Sequence, residues 1–466
     1  MNIRLLFFPI VLLLFGSTFI FSFSSSWAET SSLTLSAFER TPLYTCNNKT
    51  CLTLEEAVER AKKNSFESRE KVEQLYRARL MIKVRLGAII PHFNLNTLAG
   101  GVALGLGDIR EGVTGVISSL LGFLFPDRWF KWKESKLFFL AEKYSFLTIL
   151  SNQVNQVENL YFMVHQEILN YQIYQEYLRK IDQIIIMLQE REQNGEANPQ
   201  DLASLNVLRS ELMADSILIR NTLREILPSL AHAIAFESSA NWQDFSIASL
   251  QLPNLITEES LTAEPFYQTI LERSYEIKSL GYLKQAARYS RKARAFSFLS
   301  PEAGPENSFG FGYLSNMRIG RSEETSVKIK IEQETSLLKK SLYDSVNDYN
   351  TAIELFKESL NGQQAAQVLI DGLFDDLRAS GKLDSERLAQ NLAKGIIFDV
   401  YRNYSMHFYL MAKSNLNRLL RKGKFYENME QLTPANTQRI HRFHDRTLYK
   451  ENMEITKDIE RGIIKI

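Results

Sequence analysis

From Leu137 onward the apolar residues fall three or four apart: Leu137, Leu140, Tyr144, Leu147, Leu150, Val154, Val157, Tyr161, and so on to Ile185 and Leu188. That spacing is the seam of a coiled coil sustained over several heptads. A helix from about Lys133 to Arg191 would extend roughly 90 Å at 1.5 Å per residue, far beyond the length of a globular core helix. A second run follows, with Leu202, Leu205, Leu208, Leu212, Ile219, Leu223, Ile226 and Leu230 in the same rhythm. Asp201 or Ser204 can serve its first turn, and Asp201 also complements the helix dipole. An ordinary helical bundle shares this periodicity, so spacing alone leaves both readings open.

The break between the two runs has a second copy. Gly195, five residues, then Asp201-Leu202-Ala203 matches Gly381, five residues, then Arg387-Leu388-Ala389, at an offset of 381 − 195 = 186 positions. A glycine after one helix and polar starters before the next make the tip of an αα-hairpin. Two copies predict an internally duplicated chain built from hairpins.

Two blocks between the helical runs read differently. The first follows Pro91, from Phe93 through the glycine-rich Ala99–Gly107 and then Val113 to Phe125. The second begins near Pro301 and Pro305, and contains Phe309-Gly-Phe311-Gly-Tyr313 and Val327-Lys-Ile329-Lys-Ile331-Glu332. In the last stretch Val327, Ile329 and Ile331 share one face of a strand and charges the other, as a barrel strand between lipid and water requires. Each block has room for two strands of about 9–11 residues. Four strands per chain leave unpaired edges unless several copies share one barrel. A soluble amphipathic hairpin is the competing reading.

The remaining composition narrows the class. Lys+Arg and Asp+Glu number 55 and 54, so no basic field invites nucleic acid. Arg4 and the apolar stretch Leu5–Phe23, followed by Ser26 and Ala28, read as an export signal cleaved after Ala28, with an uncleaved anchor as the alternative. Val113–Phe125 is too short for a membrane helix. The only two cysteines, Cys46 and Cys51, would close a small disulfide loop in an exported protein. The six histidines sit in no zincin or nucleophile motif, His441 and His444 included, and the chain carries no phosphate loop or dinucleotide fingerprint. No enzyme, cofactor or metal site is expected.

The order of these parts resembles the TolC-like outer membrane factors. Leu52-Thr-Leu-Glu-Glu-Ala57-Val-Glu-Arg-Ala61-Lys-Lys-Asn64 is similar to that family's opening helix, and Arg85–Pro91 to its passage into the first strand. The tips are similar to its Gly-x5-Asp pattern: Asp201 keeps the acid and Arg387 departs from it.

The resemblance implies a mainly α protein with a small β part. Long coiled-coil hairpins in two repeats, each with a strand pair, would form a trimeric α-barrel plus a shared 12-strand outer-membrane β-barrel. The expected divisions are 1–28 signal peptide, 29–51 N-terminal segment, 52–236 first repeat, 237–261 connector, 262–423 second repeat and 424–466 tail. Implied partners are two further copies, outer-membrane lipid, a periplasmic adaptor and an inner-membrane transporter. Gly195 and Gly381 would lie at the adaptor-facing tips, and Asp201, Asp384 and Arg387 near the aperture, each repeated three times. The implied role is passive export of solutes or polypeptides from an outer-membrane site reaching into the periplasm. The rival from another class is an exported periplasmic coiled-coil scaffold without a membrane barrel.

Overall fold

The computed structural model describes residues 50–90, 124–194, 199–236, 245–299, 311–380, 384–427 and 429–431. Strand β1 (Thr50–Leu52) leads into α1 (Leu54–Asn64), α2 (Phe66–Gly87), α3 (Pro126–Gln193) and α4 (Pro199–Ala233). Strand β2 (Phe245–Ile247) then precedes α5 (Glu264–Arg273), α6 (Tyr275–Ala295), α7 (Phe311–Ser380) and α8 (Ser385–Leu420). The helix lengths repeat, with 11, 22, 68 and 35 residues in the first half and 10, 21, 70 and 36 in the second.

Local chemistry explains the matching breaks. Ser65 caps α2 by accepting from the Ser68 N–H, and Ser274 caps α6 by accepting from the Ile277 N–H. Each serine sits in extended backbone, which ends the short helix before it and satisfies donors of the next. Thr53 and Glu56 form a reciprocal capping box at α1.

The seam of α3 is buried as its spacing predicts: Leu147, Leu150, Val154, Val157, Tyr161 and Val164 are all nearly inaccessible. It packs against α2, α4, α6 and α8. In the second half Leu338, Leu342, Val346 and Ile353 of α7 close a core with Tyr409, Ala412 and Leu416 of α8. The two helices approach closely at Gly362, where an added Cβ would run into the Phe398 ring. Along α3 and α8 the two repeats meet through polar groups. Ser414 donates to the buried Glu158 carboxylate at 2.6 Å, Asn155 donates to Ser414 at 2.9 Å, and Asn403 donates to Asn170 at 2.7 Å. Tyr426 donates to the same Glu158 oxygen at 2.6 Å, and burial pushes that carboxyl up from its ordinary range.

The strand expectation for Val327, Ile329 and Ile331 is corrected: all three lie inside α7, and Ile329 is exposed. Five alternating residues fit a helix face as well as a strand, because positions 327 and 331 are one turn apart. Neighbouring ion pairs favour the helix. Glu324 takes Arg288 and Arg291, each at 2.9 Å, and Glu323 takes Arg294 at 2.7 Å, tying α7 to α6. Phe311 and Tyr313, from the same expected strand block, also belong to α7. Of the first expected strand block, Phe93 to Phe125, residues 93–123 lie outside the described residues and Phe125 is the N-cap of α3; His441 and His444 also lie outside the described residues.

The observed strands are elsewhere. β1 and β2 pair in parallel, Thr50 opposite Phe245 and Leu52 opposite Ile247, joining the N-terminal segment to the connector. Tyr161 of α3 holds this pair, its hydroxyl lying 3.0 Å from the Leu52 carbonyl and 2.8 Å from that of Ala248. Cys51, within β1, is disulfide-bonded, and Cys46 lies outside the described residues. Replacing Tyr161 by Phe should leave the Ala248 carbonyl without this donor and destabilise the fold by about 1–3 kcal/mol. Thermal or denaturant unfolding of the variant against wild type measures that loss.

Candidate functional site

The hairpin ends carry the residues expected to matter. α3 closes on Asn194 and α4 opens at Pro199; α7 closes at Ser380 and α8 opens after Asp384. Gly195 and Gly381 lie outside the described residues. The structure brings the two tips together through Asp201, whose carboxylate accepts from the Ser385 hydroxyl at 2.5 Å. Ser204 joins the same group, donating to the Asp201 carbonyl at 3.0 Å and lying 3.3 Å from the Ser385 oxygen.

The three charged aperture candidates therefore have different circumstances. Asp201 bridges the hairpins. Asp384 is the α8 N-cap, accepting from the Arg387 backbone N–H at 3.0 Å. Arg387 contributes that N–H to the cap and exposes its side chain.

Beneath the polar tips lies a core drawn from all four helices. Leu188 and Ile185 of α3, Leu205 and Leu208 of α4, Leu373 of α7 and Leu388 of α8 are buried together. A polar tier follows further from the tips. Tyr177 donates to Asp399 at 2.8 Å, Gln363 donates to the other Asp399 oxygen at 2.5 Å, and Arg402 donates to Gln363 at 2.6 Å. Burial, and then the Asp399 carboxylate, push the Tyr177 hydroxyl up and keep it a donor. Gly395 leaves room for that hydroxyl, since a Cβ there would stand 3.2 Å from it. Burial and the Asp215 carboxylate push Tyr174 up to about 12.

Sequence reasoning missed Ser385 and the whole Tyr177–Asp399–Gln363–Arg402 tier. The signal for Ser385 was its place just after a helix-capping aspartate. The tier joins positions up to 222 residues apart, and no local pattern encodes that.

Paired long hairpins, repeated within one chain and joined at their tips, define a class: this is the fold of TolC-like outer membrane channels. Among solved structures, the Campylobacter jejuni CmeC outer membrane channel matches at TM-score 0.64 and 11% identity, over 81% of this chain and 88% of its own. A membrane protein from Pseudomonas aeruginosa matches at TM-score 0.65 and 12% identity, over 82% of this chain and 92% of its own. The open state of the Neisseria gonorrhoeae MtrE outer membrane channel matches at TM-score 0.58 and 10% identity, over 87% and 98%. At these identities the likeness is one of fold. No protein-family model matches the sequence, and no curated protein matches it significantly.

Ser385→Ala removes the hydroxyl between the tips while leaving the Asp384 cap in place. Amide exchange over the first turns of α8 should then quicken, with a cost of about 1 kcal/mol in stability. Unchanged exchange there would mean that the bridge does not couple the hairpins.

Proposed function

We propose that this chain is the subunit of a passive exit duct in the outer membrane, three copies of which form a helical tube through the periplasm. The observation that carries this reading is the duplicated hairpin, whose 68- and 70-residue helices would each extend about 100 Å and whose fold matches solved outer membrane channels over most of both chains. Residues 1–28 would direct export and be removed. The tips around Gly195 and Gly381 would meet a periplasmic adaptor and an inner-membrane transporter, as part of a tripartite efflux or type I secretion system carrying solutes or polypeptides. Solutes would pass without being chemically changed.

With the Asp201 and Asp384 carboxylates accepting hydrogen bonds at the tips, Arg387 is an exposed charge that three-fold symmetry would repeat as a ring. Arg387→Glu should raise cation over anion preference in reversal-potential measurements on reconstituted protein. An unaltered reversal potential would remove Arg387 from the permeation path.

One observation favours a second reading, an envelope scaffold without a pore. Only 310 − 295 = 15 residues separate the end of α6 from the start of α7, and the Tyr313 hydroxyl donates to the Ala295 carbonyl at 2.8 Å. A crossing strand pair needs about 9–11 residues per strand, so the second repeat has no room there for the pair that a twelve-strand barrel asks of it. The equivalent stretch of the first repeat has 125 − 87 = 38 residues. Three chains contributing one hairpin each would supply six strands, fewer than the roughly eight whose interior side chains already fill.

Light scattering of protein extracted from the outer-membrane fraction, paired with planar-bilayer conductance, tests both readings. A trimer that conducts supports the duct. A trimer released without detergent, or one that never conducts, supports the scaffold.

A further inference from the structure

Two histidines from different repeats touch inside the buried seam. His165 of α3 and His407 of α8 are 4% and 0% exposed, and His165 Nδ1 lies 2.8 Å from His407 Nε2. Both outer nitrogens also have partners. The Leu250 backbone N–H in the connector donates to His165 Nε2 at 3.0 Å. His407 Nδ1 lies 2.8 Å from the Asn403 carbonyl oxygen.

These two ends dictate the protons between them. A backbone N–H can only donate, so His165 Nε2 is bare and its ring hydrogen sits on Nδ1. That hydrogen goes to His407 Nε2, which must also be bare. The second ring hydrogen then sits on His407 Nδ1 and goes to the Asn403 carbonyl, which can only accept. One arrangement satisfies every group, with both rings neutral. A further proton has no acceptor: on His165 Nε2 it would face the Leu250 N–H, and on His407 Nε2 it would face the hydrogen of His165.

We propose that the His165–His407 pair is an acid-operated latch, in which protonation of either ring frees the connector at Leu250 or parts α3 from α8. Burial holds both rings down to about 4, well below the ordinary value. For His407 the Asn403 carbonyl opposes that shift, and the neighbouring His165 adds to it.

Charged groups on the surrounding elements have other engagements. On α3, Glu158 is held by Ser414 and Tyr426, and Glu167 by Asn170 and Gln166. On α8, Arg402 pairs with Asp399. Asp348 of α7 feels Asp344, Glu56 of α1 is capped by Thr53, and the connector from Ile247 to Asn254 carries no charge. None of these charges moves either ring.

The direction with pH follows from proton counts. An unfolded histidine titrates near 6.5 and these two near 4, so between those values the unfolded chain binds more protons. The latch contributes fully above 6.5 and weakens as the pH falls towards 4.

Amide exchange of the full chain, expressed as protection relative to the intrinsic rate at each pH, reads this directly. Protection of the Leu250 amide should fall at least about tenfold between pH 7 and pH 4. The double variant His165→Gln/His407→Gln keeps an oxygen for the Leu250 N–H but carries neither titrating ring, so its loss should stay under about twofold. Equal losses in both proteins would overturn the latch, since Glu158, raised by burial, would strengthen rather than weaken the seam as the pH falls; no loss in wild type would overturn it outright. If the double variant fails to fold, the imidazole nitrogen shifts of the wild-type chain decide. Two neutral rings at pH 6, each in one tautomer, support the latch, and ordinary titration near 6.5 overturns it.

Discussion

Buried polar groups between α3 and α8 must find partners, and that requirement sets how the two repeats lie against each other. Apolar stripes on two long helices can slide by a turn at little cost, because one leucine is much like the next. The groups along this seam cannot. A shift of one turn would strand the Glu158 carboxylate, the Asn170 and Asn403 amides and the facing imidazoles, each at about 1–3 kcal/mol or more. The seam therefore specifies register, while the leucines supply most of the attraction.

The same division holds at the two ends of the hairpins. Near the tips the core of Leu188, Leu205, Leu373 and Leu388 gathers four helices, and the Asp201–Ser385 bond selects how they meet. At the opposite end the salt bridges from Glu323 and Glu324 hold α7 against α6. Glu324 is half of that arrangement by itself, since its two arginines keep its carboxyl below the ordinary range.

Much of this was legible in the sequence because a heptad seam is a local, repeated signal. The buried face of α3, the tip positions and the duplication all follow from spacing. What spacing could not supply was pairing across distance. The partners of Tyr161, His165 and Tyr177 lie 87, 242 and 222 residues away, and a lone histidine in an apolar stripe looks the same whether or not another waits opposite. The strand reading of Val327–Ile331 failed for the complementary reason. Five residues are too few to separate a period of two from one of 3.6, and the ion pairs that decide the matter reach α7 from another helix. The β1–β2 pair was hidden by its shortness, three residues on each side.

The two serine caps, Ser65 and Ser274, stand 274 − 65 = 209 positions apart, whereas the helices after the next loop begin 311 − 126 = 185 apart. From there the register holds almost unchanged, at 385 − 199 = 186 for the last helix of each half. If the halves descend from one ancestral unit, a single net event of 209 − 185 = 24 residues in one loop accounts for nearly all of their difference in length. Their helices then kept nearly equal lengths while diverging in sequence, as gears cut to a common pitch must, because each turn of one half is meshed with a turn of the other.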